Sequence, residues 1–266
     1  SPCMTLMTST VSPGSETWNL FVHDVYTDMT QKVGQKCTAI RRIFVPADSV
    51  DAVQDDLAAR LAAAPVGNPA ASGVVIGPLA TKSQLDDARK GVAKLAAEAD
   101  IVFGSTDEPA LVDAEPGRGY FFGPVLLRAR DTLSAGVVHE HEVFGPVATL
   151  LPWAGDAATA SELVRRGGGS LVCSVYSDDR DFVRDMVMGI GTHHGRLYLG
   201  SEKVAGQALG PGAVLPGSIH GGPGRAGGGE ELGGLRGLRL YQQRVALQGD
   251  RAVVERLFPK PAAPAA

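Results

Sequence analysis

The chain has 266 residues, of which 44% are hydrophobic, 20% charged and 6% aromatic, and its formal net charge is −4. This composition is typical of a globular protein and excludes a disordered chain or a coiled coil. The slightly acidic balance lacks the basic excess of proteins that bind nucleic acids or anionic membranes. Every apolar run is far shorter than the roughly 20 residues that a membrane-spanning helix requires.

Helical and strand patterns alternate along most of the chain. Apolar residues recur at helical spacing over 18–33, where Gly34 marks the stop, and over 50–61, 85–95, 157–166 and 179–189. Short apolar runs typical of buried strands occupy 40–45, 101–103, 125–127, 147–151 and 171–176. Strands separated by helices in this way predict an α/β fold with a parallel-type sheet flanked by helices.

A dense run of glycines follows, over 206–237. These glycines are interleaved with charged residues rather than with the serines of a flexible linker, so the pattern predicts an ordered loop near a site. The last strong pattern is a polar–apolar alternation over 240–247. We expect the Pro- and Ala-rich tail from Pro259 onwards to be frayed.

Cys37 is the sharpest chemical feature, since it lies between the end of a helical pattern and the start of a strand pattern. A thiolate there could act as a nucleophile, favoured by Lys36 or by local backbone N–H groups. The alternative is a small buried hydrophobic residue. Cys3 and Cys173 are interpreted as a terminal and a core residue. Three scattered cysteines without a leader sequence favour reduced thiols and a cytoplasmic protein.

Two other motifs could carry chemistry, and both are interpreted as structural. In the run His139–Glu142, alternate histidines could bind a metal, but no further ligands show a recognisable spacing, and a solvated charged turn is favoured. The segment 222–227 matches the glycine fingerprint of dinucleotide sites, yet no strand precedes it in a βαβ unit. The pair His193 and His194 is expected to be partly exposed.

Five segments in order along nearly the whole chain are GQKCTA at 34–39, VGNP through IGPL at 66–79, GYFFGP at 119–124, EVFGPV at 142–147 and HGGPGRAGGGEELGGL at 220–235. Together they resemble motifs of the aldehyde dehydrogenase family. Two details are narrower: CTAIRR at 37–42 and HGGPGRAGGGEE at 220–231 resemble the branch that oxidises CoA-linked semialdehydes in bacterial phenylacetate and benzoyl-CoA breakdown.

The resemblance implies an aldehyde dehydrogenase catalytic domain over 1–238, an oligomerisation strand over 239–250 and a tail over 251–266. It implies that Cys37 attacks the aldehyde, that a hydride leaves to NAD or NADP, and that water releases the acid from a thioester. The Cys37 N–H would be an oxyanion donor. Glu142 would hold the nicotinamide ribose, Phe144 would pack beside the nicotinamide, and Ser218 and His220 would line the substrate mouth. The partners implied are an aldehyde and further copies of the chain.

The family's members are much longer than this chain, which begins Ser-Pro-Cys without an initiator Met. By the resemblance, an amino-terminal half that cradles the cofactor and supplies the oxyanion Asn would be missing. The general-base Glu would fall just before Ser1, because Glu16 is too close to Cys37. We therefore expect no dehydrogenase turnover by this chain alone. Two alternatives stay open, a thiol esterase that uses Cys37 and a non-catalytic interaction module.

Overall fold

The structure is a computed structural model that describes residues 3–207, 209–214, 220–229, 235–238, 242, 246–247 and 250–257. None of the helices within these residues is long and apolar enough to cross a membrane. The strands are β1 (Cys3–Met7), β2 (Ile40–Pro46), β3 (Val66–Gly67), β4 (Ala99–Phe103), β5 (Leu111–Val112), β6 (Val125–Ala129), β7 (Val147–Trp153), β8 (Ser170–Tyr176), β9 (His194–Gly200), β10 (His220–Gly221) and β11 (Gly228–Gly229). The α-helices are α1 (Glu16–Thr30), α2 (Val50–Ala62), α3 (Lys82–Leu95), α4 (Val137–Glu140), α5 (Ala157–Arg165), α6 (Arg180–Ile190), α7 (Leu235–Leu238) and α8 (Arg251–Leu257).

Seven strands form one central sheet in the order β4-β6-β7-β2-β1-β8-β9. All neighbouring pairs run parallel except β4 and β6, which pair antiparallel at one edge. Strands β3 and β5 form a small parallel pair, and β10 and β11 form an antiparallel pair. The predicted α/β fold with a parallel-type sheet is therefore confirmed.

Helices cover both faces of the sheet, and each face buries its own hydrophobic cluster. On one face α1 and α2 contribute residues such as Phe21 and Leu57. On the other face α3, α5 and α6 contribute residues such as Val92, Leu163 and Met186. This three-layer arrangement buries the strands on both sides, which explains why they are continuous apolar runs in the sequence.

Helix starts follow local capping chemistry that the sequence carries. The side chains of Ser15, Thr81 and Asp156 each accept a hydrogen bond from a backbone N–H in the first turn of α1, α3 and α5. These caps satisfy donors that have no partner within the helix. Helix α1 ends at Thr30, earlier than the pattern over 18–33 predicts, because a tight turn at Gln31–Gly34 follows it.

Two strands of the central sheet were not predicted. Strand β1 lies in the middle of the sheet, between β2 and β8, although it comprises the first residues that the structure describes. Strand β9 forms one edge and begins at His194, which is buried rather than partly exposed. The His194 ring shares a 2.7 Å hydrogen bond with the Ser170 hydroxyl. Burial lowers the pKa of His194 to about 3, which keeps the ring neutral.

The carboxy-terminal predictions fall mostly outside the described residues. This holds for most of the proposed pairing strand at 239–250 and for the frayed end of the tail. The expected tail begins with a short helix, α8.

Candidate active site

The candidate nucleophile Cys37 lies in the loop that leads into β2, and its side chain is exposed. The turn before it is tightly wound, since Lys32, Val33 and Gly34 all have positive φ angles of 54°, 57° and 65°. Residues other than glycine rarely adopt positive φ angles, so Lys32 and Val33 store backbone strain in the turn before Cys37. The thiol is therefore presented at the amino-terminal end of the parallel sheet on a rigid support.

Arg41 fastens this loop to the segment that contains Glu142 and Phe144. Its guanidinium is buried and donates hydrogen bonds to Gly145 O at 2.5 Å and to Gly34 O at 2.6 Å. The same group lies 3.7 Å from a Glu142 carboxylate oxygen and stacks near the Phe144 ring. One buried cation thus sets the position of both segments.

Sequence reasoning missed Arg41, although a signal was present. Two arginines interrupt the apolar run of β2, and a charge in a buried strand requires specific partners. The second, Arg42, donates to Val164 O at 3.2 Å and lies 3.2 Å from His139 Nδ1.

His220 lies against Cys37, with 3.4 Å between the His220 Nε2 atom and the Cys37 sulfur. It opens β10, which pairs with β11 and forms a small hairpin from the glycine-rich segment. This hairpin packs so tightly on β9 that a Cβ atom on Gly195 would overlap the carbonyl oxygen of Gly221. The segment 222–227 therefore belongs to a hairpin and not to a βαβ unit, as expected.

The side chain of Lys36, the residue before Cys37, is bound to other partners. The Lys36 ammonium binds the Asp28 carboxylate at 2.5 Å and the Gln31 side-chain oxygen at 2.9 Å, so the hypothesis that it favours a thiolate is not supported. Burial lowers the pKa of Arg196, which lies on β9. Arg196 also donates to Ala213 O and, at 3.1 Å, to Pro211 O.

Cys3 is not the ordinary terminal thiol that the sequence predicted. It is buried at the start of β1, and its sulfur donates to the carbonyl oxygen of Cys37 at 3.5 Å. Burial raises the pKa of Cys3 to about 11. Cys173 is buried in β8, as expected, and burial raises its pKa further. Cys37 is thus the one exposed thiol among the described residues.

Glu142 and Phe144 lie on the loop between α4 and β7, next to the turn that precedes Cys37. Phe144 is 41% exposed, which is unusual for a phenylalanine and leaves its ring free to pack against another molecule. A cavity of about 360 Å³ opens beside both residues. Its walls come from α3 and this loop: Gln84, Asp87, Ala88, Lys90, Gly91, Lys94, His141, Glu142, Val143 and Phe144.

The run His139–Glu142 is only partly the solvated turn that the sequence favoured: Glu140 is exposed, and His141 and Glu142 are half-buried. His139 is buried in α4, where burial and then the Arg42 charge lower its pKa to about 4. No group of three or more ligands that could hold a metal occurs within the residues that the structure covers. His139 therefore serves packing. Ser218, predicted at the substrate mouth, lies outside the described residues.

Comparison with known proteins gives relatives along most of the chain. It is 44% identical over 211 residues to 3,4-dehydroadipyl-CoA semialdehyde dehydrogenase of Aromatoleum evansii, covering 79% of this chain and 41% of that protein. It is 39% identical over 175 residues to Protein MaoC of Klebsiella aerogenes, covering 65% of this chain and 50% of that protein. The chain thus spans half or less of the length of these relatives.

Solved structures share the fold at lower identity. An apo betaine aldehyde dehydrogenase from Staphylococcus aureus superimposes with a TM-score of 0.74 at 22% identity, covering 90% of this chain and 43% of that one. Aldehyde dehydrogenase C from Pseudomonas syringae, complexed with NAD+ and octanal, gives a TM-score of 0.68 at 20% identity, covering 86% of this chain and 42% of that one. Residues 16–233 match the sequence model of a family described as "Aldehyde dehydrogenase family". This match contains Cys37, Glu142, Phe144 and His220, and the chain belongs to the aldehyde dehydrogenase family.

Proposed function

We propose that this chain carries the nucleophile of an enzyme that oxidises an aldehyde to an acid, with Cys37 as the nucleophile. The observation that carries the proposal is the exposed Cys37 thiol, held by a strained turn and joined through Arg41 to the Glu142–Phe144 loop. Reactive cysteines are accessible and lie near cations, whereas structural ones are buried and inert. Family membership favours this function over a simple esterase or a non-catalytic module.

The first step forms a bond between the Cys37 sulfur and the aldehyde carbon, giving a thiohemiacetal. The Cys37 N–H is suited to stabilise the oxygen, since it donates no hydrogen bond among the described residues, whereas the N–H groups of Gln35 and Lys36 do. Loss of a hydride from the thiohemiacetal carbon and of the proton from its oxygen leaves a thioester on Cys37. Water then attacks the acyl carbon, the carbon–sulfur bond breaks, one proton of the water returns to the Cys37 sulfur, and the acid leaves.

A nicotinamide cofactor, NAD or NADP, would accept the hydride when bound. The residues fit such a group, because the exposed Phe144 ring offers an apolar face and the Glu142 carboxylate can accept hydrogen bonds from ribose hydroxyls. The cavity beside them supplies room on this chain. The hydrogen bonds from Arg41 to Gly145 O and Gly34 O fix the segment that carries both side chains against the loop that contains Cys37.

The substrate proposed is a semialdehyde linked to CoA, in the breakdown of aromatic compounds. The support is the name of the Aromatoleum evansii relative together with the CTAIRR and HGGPGRAGGGEE segments. A succinate-semialdehyde dehydrogenase [NADP(+)] of Mycolicibacterium paratuberculosis is also similar, at 29% identity over 83% of this chain and 42% of that protein. We further propose a cytoplasmic homo-oligomer.

The test measures aldehyde-dependent nicotinamide reduction by the natural protein that contains this chain, with CoA-linked and free semialdehydes compared at equal concentration. We expect a higher kcat/KM for the CoA-linked substrate and loss of turnover in Cys37→Ser. The control variant Cys173→Ala removes a buried thiol and should keep the activity. Turnover that survives Cys37→Ser would refute the assignment, and equal kcat/KM values would refute the substrate class.

A further inference from the structure

His220 and Cys37 meet although 183 residues separate them in sequence. The contact joins a thiol and an imidazole nitrogen at 3.4 Å, a distance suited to a hydrogen bond that involves sulfur. Cys37 is exposed and His220 is half-buried, so both can meet a substrate. In this arrangement a proton can move between the two groups without an intervening water.

We propose that His220 is a catalytic residue that accepts the proton of the Cys37 thiol. The S–H bond breaks, its electron pair stays on sulfur, and the proton binds His220 Nε2, which gives a thiolate beside an imidazolium. The sulfur then forms its bond with the aldehyde carbon as the carbonyl π bond breaks, and its electron pair moves to the oxygen, which takes up a proton to complete the thiohemiacetal. This proposal rests on the proposed function, because it takes Cys37 as the nucleophile.

The surroundings of the pair support this role. Lys36 does not compete for this role, because its ammonium is occupied by Asp28. His220 Nδ1 has no hydrogen-bond partner within the described part of the chain, so Nε2, which faces the Cys37 sulfur, is the ring nitrogen placed to exchange a proton. The backbone next to His220 is fixed by the tight packing of Gly221 on Gly195.

The pair also differs from a packing contact. A core histidine such as His139 has both ring nitrogens near polar partners, namely the Arg42 guanidinium and Thr132 O. In contrast, the polar neighbour of His220 is a reactive group at the surface. The contact between His220 and Cys37 is therefore suited to proton transfer rather than to structural hydrogen bonding.

The experiment measures the rate at which iodoacetamide alkylates Cys37 from mildly acidic to alkaline pH, with peptide mass mapping as the readout. Alkylation consumes the thiolate, and an isolated thiol loses it below about pH 8.5. We expect wild-type Cys37 to keep reacting at mildly acidic pH. In His220→Gln and His220→Phe the rate there should fall roughly tenfold or more, while the alkaline rate stays similar.

His23→Gln is the matched control, since His23 is an exposed histidine on α1 and should leave the profile unchanged. A wild-type profile like that of a free thiol would overturn the proposal without any variant. So would unchanged profiles in both His220 variants, with circular dichroism confirming their folds. Alkylation requires neither aldehyde nor cofactor, so this result is independent of whether the protein oxidises aldehydes.

Discussion

Gly34 shows how a single residue sets the geometry of the candidate site. A Cβ atom there would overlap Gly145 O and lie 2.7 Å from its carbonyl carbon and 2.9 Å from Pro146 Cα. The positive φ of 65° adds a second reason for glycine. The sequence pattern predicts that Gly34 ends a helix. The structure shows that the close approach of Gly145, which follows the Glu142–Phe144 loop, also requires a glycine at this position.

We predict that Gly34→Ala destabilises the protein more than Gly14→Ala does. Both glycines have positive φ, but open space surrounds Gly14. The left-handed conformation costs about 1–2 kcal/mol in either variant, and overpacking adds about 1–3 kcal/mol at Gly34. Urea unfolding of the two variants measures the difference. Equal losses of stability would show that the Gly145 contact can relax.

The second prediction at this scale concerns the three thiols. In the native protein iodoacetamide should label Cys37, while Cys3 and Cys173 stay unlabelled, because both are buried and burial raises both pKa values. All three should label in denaturant. Peptide mass mapping before and after unfolding checks this. Native labelling of Cys3 ahead of Cys37 would contradict the burial of β1.

At the scale of elements, β2, α4 and α5 are joined by one buried polar cluster. Arg42 on β2 reaches His139 on α4 and the carbonyl groups of Leu163 and Val164 on α5. Burial lowers the pKa of Arg42 to about 10, and His139 is held neutral beside it. The cluster depends on His139 staying uncharged, which makes the packing of α4 sensitive to acid.

We predict that the free energy of unfolding falls as the pH drops from about 6.5 to 4, in part because of His139. Its folded pKa of about 4 lies below the unfolded value of 6.5, so the unfolded state binds more protons in this window. The loss attributable to His139 is about 2–3 kcal/mol. His139→Gln can still accept from Arg42, and it should flatten the pH dependence in urea unfolding. An unchanged slope would contradict the buried neutral state.

At the scale of the molecule, β9 forms one of the two edges of the central sheet. Among the described strands β9 pairs only with β8 in the central sheet. Leu199 on this strand is 43% exposed, and Met188 on the neighbouring α6 is 79% exposed. Unpaired edges with apolar side chains favour association.

We therefore predict that the chain self-associates as its concentration increases. Sedimentation velocity or light scattering over a wide concentration range measures this directly. Leu199→Lys should shift association to higher concentration, because a charged side chain disfavours edge pairing. Lys203, already charged in the following turn, gives the matched control Lys203→Arg. A monomer at every concentration would contradict the prediction.

Local patterns in the sequence were enough to predict the alternation of helices and strands and the parallel sheet. These features depend on the spacing of apolar residues and on Gly34, which act over a few residues. Only the tertiary structure decided that β1 is central, that Cys3 is buried and that Arg41 joins two loops. It also brought His220 to Cys37 across 183 residues and turned Lys36 towards Asp28. Such contacts depend on how strands pack in space, and spacing along the chain carries no information about them.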